Sequence, residues 1–154
     1  AFIFQSYFLP FSIMSIIPFT LIGVIGGHWI TGFDITILSL VAIFGLLGIV
    51  INDSIIMVSN IYEKIETGID TNSAIITGAQ ERLRAVMLTS FTTIAGLTPL
   101  LFEGSVQAQF LKPMAITIVF GLLFSTLLVL IFIPVILKIG EDMKKFLFNP
   151  KFWR

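Results

Sequence analysis

Asp53 is the only charged residue in the 28 positions from Ile35 to Tyr62, which are otherwise apolar enough to form a membrane span. The middle of that stretch lies near Gly48, so a helix would put Asp53 about 7 Å from mid-bilayer at ~1.5 Å per residue. An acid at that depth costs roughly 2.5–3.5 kcal/mol on insertion scales. Hydrocarbon disfavours an ionised carboxylate unless a cation stands close, so such a group can load and release a proton. Each charge moved through the membrane field is worth ~2.3 kcal/mol per 100 mV. The competing reading is a structural acid, hydrogen-bonded and fixed, that packs one helix on another.

Further groups could act with Asp53. Asn52 precedes it, and Thr89, Ser90, Thr92 and Thr93 crowd the first half of a later apolar segment, with Thr98 beyond them. Thr89, Thr92 and Thr93 share a face at helical spacing. Hydroxyls in a membrane helix bond their own i−4 carbonyls or a neighbouring helix, and the plainer reading of most of them is packing. Arg82 lies about two turns before Thr89, so both can face the same way, whereas Arg84 reads as a surface charge that sets topology. No nucleophile–base pair, metal cluster or phosphate loop is visible, and the expectation is a protein that is not an enzyme and carries no cofactor or metal.

The elements that must hold these groups are membrane helices. The chain has 154 residues, 56% of them hydrophobic, zero net charge and no cysteine, with a mean hydropathy of +1.04. That is the composition of a polytopic membrane protein. Zero net charge gives no reason to expect nucleic acid as a partner, and the lack of cysteine excludes disulfides and thiolate metal sites. The expected fold is an all-α bundle of four transmembrane helices, about 9–30, 35–61, 85–102 and 113–137, each near the ~20 residues a bilayer requires. Thr31 to Asp34 reads as a tight turn, and the second span is long enough to tilt or to leave the lipid. Pro113 suits a helix start, and Pro18, Pro99 and Pro134 fall in or near spans, where they are tolerated. Between the second and third spans, Asp70 or Thr71 could cap a short interfacial helix over about 71–83.

Charge sets the orientation. Lys64, Arg82, Arg84, Lys138, Lys144, Lys145, Lys151 and Arg154 fall on one side of the four-span arrangement, and only Lys112 on the other. The positive-inside rule makes the first side cytoplasmic, so the tail 138–154 is read as cytoplasmic. Trp29 and Tyr62 sit at opposite span ends, as interface aromatics do. Gly23-x-x-x-Gly27, Ala42-x-x-Gly45-x-x-Gly48 and Gly121-x-x-x-Ser125 mark close helix contacts. The lone His28 reads as incidental, and Glu103 and Lys112 as solvated charges. The start, Ala1 to Phe8, has neither a positive region nor a cleavage site of a signal peptide and reads as the end of a preceding span. The whole chain, 1–154, is therefore read as one membrane domain and as a piece of a longer or split protein.

Five segments occur in an order and spacing that resemble one family: Gly48-Ile-Val-Ile-Asn-Asp-Ser-Ile-Ile-Met-Val58, Arg82-Leu-Arg-Ala-Val-Met-Leu-Thr-Ser90, Thr92-Thr-Ile-Ala-Gly-Leu-Thr-Pro-Leu100, Pro113-Met-Ala-Ile, and Ser125-Thr-Leu-Leu with Ile133-Pro-Val135. Over roughly residues 1 to 140 the chain resembles the C-terminal end of resistance-nodulation-division (RND) transporters, nearest the hydrophobe/amphiphile efflux branch that includes multidrug-resistance pumps. The resemblance implies the last four of twelve spans in a pump of the bacterial inner membrane. Such pumps exchange protons for substrate and work as homotrimers. Their partners are the first-half spans and porter segments, the bilayer and, in some, a periplasmic adaptor and an outer-membrane channel.

The family's proton relay sets two acids on the fourth span against a Lys on the tenth and an Arg and a Thr on the eleventh. By motif, Asn52 stands where that Lys usually sits and Asp53 where an Asn follows it; Arg82 matches the Arg and Thr89 the Thr. The implied relay residues here are thus Asp53, Asn52, Arg82 and Thr89, with protons as the coupling ion. The loss of the Lys leaves two possibilities open: Asp53 binds protons itself, or it pairs with Arg82. Ala85 also replaces the Pro that usually follows the second Arg. The alternative is a non-transporting scaffold or sensing module of the same fold, as in sterol-sensing and protein-export relatives, with Asp53 structural.

Overall fold

A computed structural model describes residues 8–147 as five helices: α1 (Phe8–Met14), α2 (Ile16–Thr31), α3 (Ile37–Glu66), α4 (Thr71–Phe102) and α5 (Val106–Leu147). The fold is an all-α membrane bundle. α3, α4 and α5 are each long and apolar enough to cross a bilayer, and α2 is a shorter apolar helix. α5 is the hub, with α2, α3 and α4 all packed on it. The core is mainly apolar: Ile16 and Val24 of α2, Leu46, Val50, Met57 and Ile61 of α3, and Leu122, Val129 and Ile133 of α5 are all nearly inaccessible, with Thr20, Ser54, Thr117 and Ser125 buried beside them. Large apolar side chains also cover the outside, among them Trp29, Phe44, Phe91 and Phe110. In water such a surface would drive aggregation; against lipid it is the matched solvent.

Several boundaries differ from the sequence expectation, each for a local reason. The first span divides into α1 and α2 at Ser15, because Pro18 has no N–H to return to the Met14 carbonyl. α3 begins at Ile37 rather than Ile35: Thr36 and Ser39 form a reciprocal capping box, Ser39 N–H donating to Thr36 Oγ1 at 3.3 Å and Thr36 N–H to Ser39 Oγ at 3.2 Å. The interfacial helix and the third span are one helix. Asp70 caps it by accepting from Asn72 N–H, and nothing between 71 and 102 breaks it until Pro99, which is absorbed near its end. Its 32 residues exceed a bilayer's thickness, so the first turns of α4 stand beyond the membrane.

α5 starts at Val106, so Pro113 lies inside it rather than at its head. Ser105 provides the start, its Oγ accepting from Ala108 N–H, and the Glu103 carboxylate braces the turn by accepting from Gly104 and Ser105 N–H. The helix also runs past 137 into the expected tail. Lys138 pairs with Asp142 one turn on, at 3.3 Å, and donates to Asn72 of α4. The expected preceding span and the last part of the tail lie, apart from Phe8, outside the described residues.

The turns follow from glycine. Gly32 ends α2 with φ 73° and its N–H on His28 O, and Gly68 turns α3 into α4 with φ 89°. Both are left-handed conformations that side chains resist. Two of the three small-residue motifs lie at helix contacts. Gly23 and Gly27 of α2 receive Phe124 and Phe120 of α5 so closely that a methyl group at either would overlap them, and Gly121 likewise meets Leu46 and Val24. The third motif departs from expectation: Ala42 is buried, but Gly45 and Gly48 face open space.

Candidate functional site

Asp53 is half-buried on α3, one residue from a fully buried Ser54 whose hydroxyl donates to Val50 O at 2.7 Å. It shares an α3 stripe with Met57, Asn60 and Lys64, spaced four, three and four residues apart. The far end of that stripe clasps α4. Lys64 Nζ donates to Glu81 Oε1 at 2.9 Å, and Asn60 Nδ2 donates both to Glu81 Oε2 and to Gly78 O, each at 3.2 Å. Gly78 makes the clasp possible, since a Cβ there would lie 3.3 Å from the Ile61 Cα and 2.6 Å from its Cγ1.

This contact sets the depth of the candidate residues. α3 and α4 form a hairpin that meets at Ile61 and Gly78. Moving eight residues away from the turn on each helix reaches Asp53 and Val86. Arg82 lies four residues before Val86 and Thr89 three after it, about 6 Å and 4.5 Å along the axis. Arg82, Asp53 and Thr89 thus follow one another along the hairpin, with Asp53 about one turn in depth from each of the other two.

They do so without bonding one another. Among the described residues no ion pair or hydrogen bond joins Asp53 to Arg82 or to Thr89. The Thr89 hydroxyl donates to Ala85 O at 2.9 Å. Asn52 is exposed, about 100° round the helix from Asp53, on the same outer face as Gly45 and Gly48. The hydroxyls of Thr92, Thr93 and Thr98 also return to carbonyls of their own helix, in keeping with the packing reading. The site is open on one side: only 11% of the apolar stretch of α4 is buried, against 50% for α5.

Two long-range pairings went unread in the sequence, although Ser90 stood among the hydroxyls that could bond a neighbouring helix. Ser90 is buried and meets Thr126 of α5, oxygen to oxygen at 2.6 Å. His28 is not incidental: it is 4% exposed, its Nδ1 lies 3.0 Å from Phe33 O and its Nε2 2.9 Å from Thr117 Oγ1. The carbonyl can only accept, so Nδ1 donates, and the ring ties α2 to the α2–α3 turn and to α5. No local signal marks it, because its partner is 89 residues away. Tyr62, read as an interface ring, is half-buried against the core cluster. Among the described residues no three His, Cys, Asp or Glu side chains gather as a metal site.

Comparison with known proteins bears on the whole arrangement. A family model described as the AcrB/AcrD/AcrF family matches residues 1–139. The swarming motility protein SwrC of Bacillus subtilis is 32% identical over 138 residues, 88% of this chain and 13% of that protein. The cobalt-zinc-cadmium resistance protein CzcA of Cupriavidus metallidurans is 32% identical over 125 residues, 81% of this chain and 12% of that protein. The chain therefore spans about an eighth of the length of these relatives. The crystal structure of a heavy metal efflux pump superposes with a TM-score of 0.77 at 25% identity, covering 91% of this chain and 14% of that one.

Proposed function

As this chain belongs to the AcrB/AcrD/AcrF family of RND transporters, we propose that it forms the C-terminal part of the membrane domain of a proton-driven efflux pump and supplies half of its proton relay. The observation that supports this reading is a half-buried Asp53 on α3 at a depth between those of Arg82 and Thr89 on the facing helix α4. A merely structural acid would be enclosed and hydrogen-bonded. The Asp53 carboxylate makes no hydrogen bond to the described residues, which suits a group that takes up and releases a proton better than one fixed within this bundle.

In this mechanism Asp53 takes a proton at its carboxylate. Arg82, about one turn nearer the cytoplasm, is the cation that would approach the carboxylate when it is ionised, and the Thr89 hydroxyl, which donates to Ala85 O, offers an acceptor about one turn to the other side. Asn52, on the open face with Gly45 and Gly48, meets the acids of the first-half spans. Loading and release of Asp53 change what α3 and α4 attract, and porter segments outside these 154 residues convert that into export and select the cargo. The relatives' names speak of metal resistance and of swarming motility, so a metal cation is one cargo to try first. The assembly we propose is a homotrimer in the inner membrane, with the C-terminus cytoplasmic and with adaptor and outer-membrane channel as further partners.

The test is Asp53→Asn in the whole transporter, reconstituted in vesicles with an imposed pH gradient. Gradient-driven export should fall to background while the protein remains assembled. Export at the wild-type rate would remove Asp53 from the relay and favour the scaffold reading.

A further inference from the structure

We infer that Ser90 and Thr126 are positioning residues for the relay: their hydrogen bond fixes the rotation of α4 on α5 and so sets which way Arg82 and Thr89 point. This rests on the relay reading above and adds two residues to it.

The argument begins with how little else holds α4. Its buried residues are Ala74, Ile75, Gly78, Val86 and Ser90, and past Ser90 none is buried. A long apolar helix resting on another apolar helix in lipid has no hydrophobic force to choose its rotation; packing and polar contacts must do so. Packing is slack at this point. Met87, Ser90, Phe91 and Ile94 of α4 and Leu123, Thr126 and Leu127 of α5 surround a cavity of about 40 Å³. The specific contact there is the bond between Ser90 and Thr126, 4% and 5% exposed. Among the described residues it is the sole side-chain hydrogen bond from residues 82–102 to another helix, since the threonine hydroxyls of that segment all turn back on their own carbonyls.

The helical wheel connects this bond to the relay. At about 100° per residue, Gly78, Arg82 and Thr89 fall within about 40° of one another. Gly78 is the residue pressed on α3, so this stripe begins at the α3 contact, and farther along it Arg82 is half-buried and Thr89 exposed. Ser90 projects about 100° away from Thr89, and its hydroxyl meets α5. Two fixed directions on one helix determine its rotation: Gly78 sets it at the cytoplasmic end and Ser90 at the depth of the relay. Without the Ser90 bond only apolar packing holds the upper part of α4 on α5, so α4 can tilt or turn there by a small amount and carry Arg82 and Thr89 relative to Asp53.

The experiment needs no knowledge of the cargo. The whole transporter, reconstituted in lipid, is titrated by infrared difference spectroscopy, and the Asp53 carboxyl band is identified by its loss in Asp53→Asn. Thr126→Val removes the hydroxyl at constant shape, Ser90→Ala removes it from the other side, and Thr126→Ser keeps it. We expect Thr126→Val and Ser90→Ala each to move the Asp53 midpoint by about half a pH unit or more, the scale on which a displaced charge acts. The double variant should move it no further than either single one, and Thr126→Ser should leave it in place. An unmoved midpoint in assembled Thr126→Val and Ser90→Ala, or an equal movement in Thr126→Ser, overturns the inference and leaves the relay reading standing. A wild-type protein with no Asp53 band to titrate overturns both.

Discussion

Replacing Gly78 by alanine should damage proton-coupled export far more than it damages the fold. The added methyl would lie 2.6 Å from Ile61 Cγ1 and 3.3 Å from Ile61 Cα. Ordinary contact needs close to 3.5 Å or more, so either Ile61 turns aside or α4 moves off α3 by somewhat under about 1 Å. Ile61 is fully buried, and a β-branched residue in a helix has one strongly preferred rotamer, so the backbones must separate. Overpacking of this kind costs about 1–3 kcal/mol, while alanine for glycine inside a helix returns about 1 kcal/mol. The net loss of about 0–2 kcal/mol leaves the protein folded.

The same shift loosens the bond from Asn60 to Gly78 O and the Lys64–Glu81 pair and carries Arg82 and Thr89 away from Asp53. Misplacement by about 1 Å at a reacting group can lower a rate by up to about a hundredfold, so gradient-driven export should fall by about ten- to a hundredfold with assembled protein unchanged. Gly96 supplies the control, because it lies on the same helix with open space around it; Gly96→Ala should export normally. Equal activity of the two variants would refute the claim that the Gly78 contact sets the spacing of the relay.

Other substitutions test the bundle itself. Gly27→Ala should force Phe120 out of its seat on α2 and lower stability by about 1–3 kcal/mol, read as a fall in thermal unfolding temperature in detergent; Gly26→Ala, in open space, should show no fall. His28→Ala should strip two hydrogen bonds from the joint between α2, its turn and α5 and cost about 1–3 kcal/mol, with faster proteolysis at the 32–36 turn as a second readout. Thr36→Ala removes the capping box of α3 and should cost about 1 kcal/mol, again by thermal unfolding.

What could be read from the sequence was what short-range chemistry and lipid solvation dictate. A lone acid in an apolar run marks a span and its anomaly together, and the α3–α4 hairpin puts Asp53 about one turn in depth from both Arg82 and Thr89 because all three depths are counted from the same turn. The Gly23 and Gly27 contact was legible as well, since small residues one turn apart make a groove whatever fills it. Boundaries were harder because competing caps decide them: Thr36 with Ser39 outweighs the apolar Ile35, and Ser105 starts α5 well before Pro113. The 71–83 segment looked like a separate helix because its composition is interfacial, yet no residue there stops a helix. Gly45 and Gly48 carry the same small-residue signal as Gly23 and Gly27 but face outward, a distinction that depends on which helices surround α3. His28 with Thr117 and Ser90 with Thr126 are long-range pairs between unremarkable residues, and only the packing of α5 as the hub brings them together.

The measurement closest to the central claim is proton uptake by the purified whole transporter in a pH-jump experiment, wild type against Asp53→Asn. If Asp53 is a carrier in the relay, the variant should take up about one proton fewer per chain across the titration. Identical uptake curves would contradict the account, because a carboxyl that never changes its protonation cannot couple a proton gradient to export.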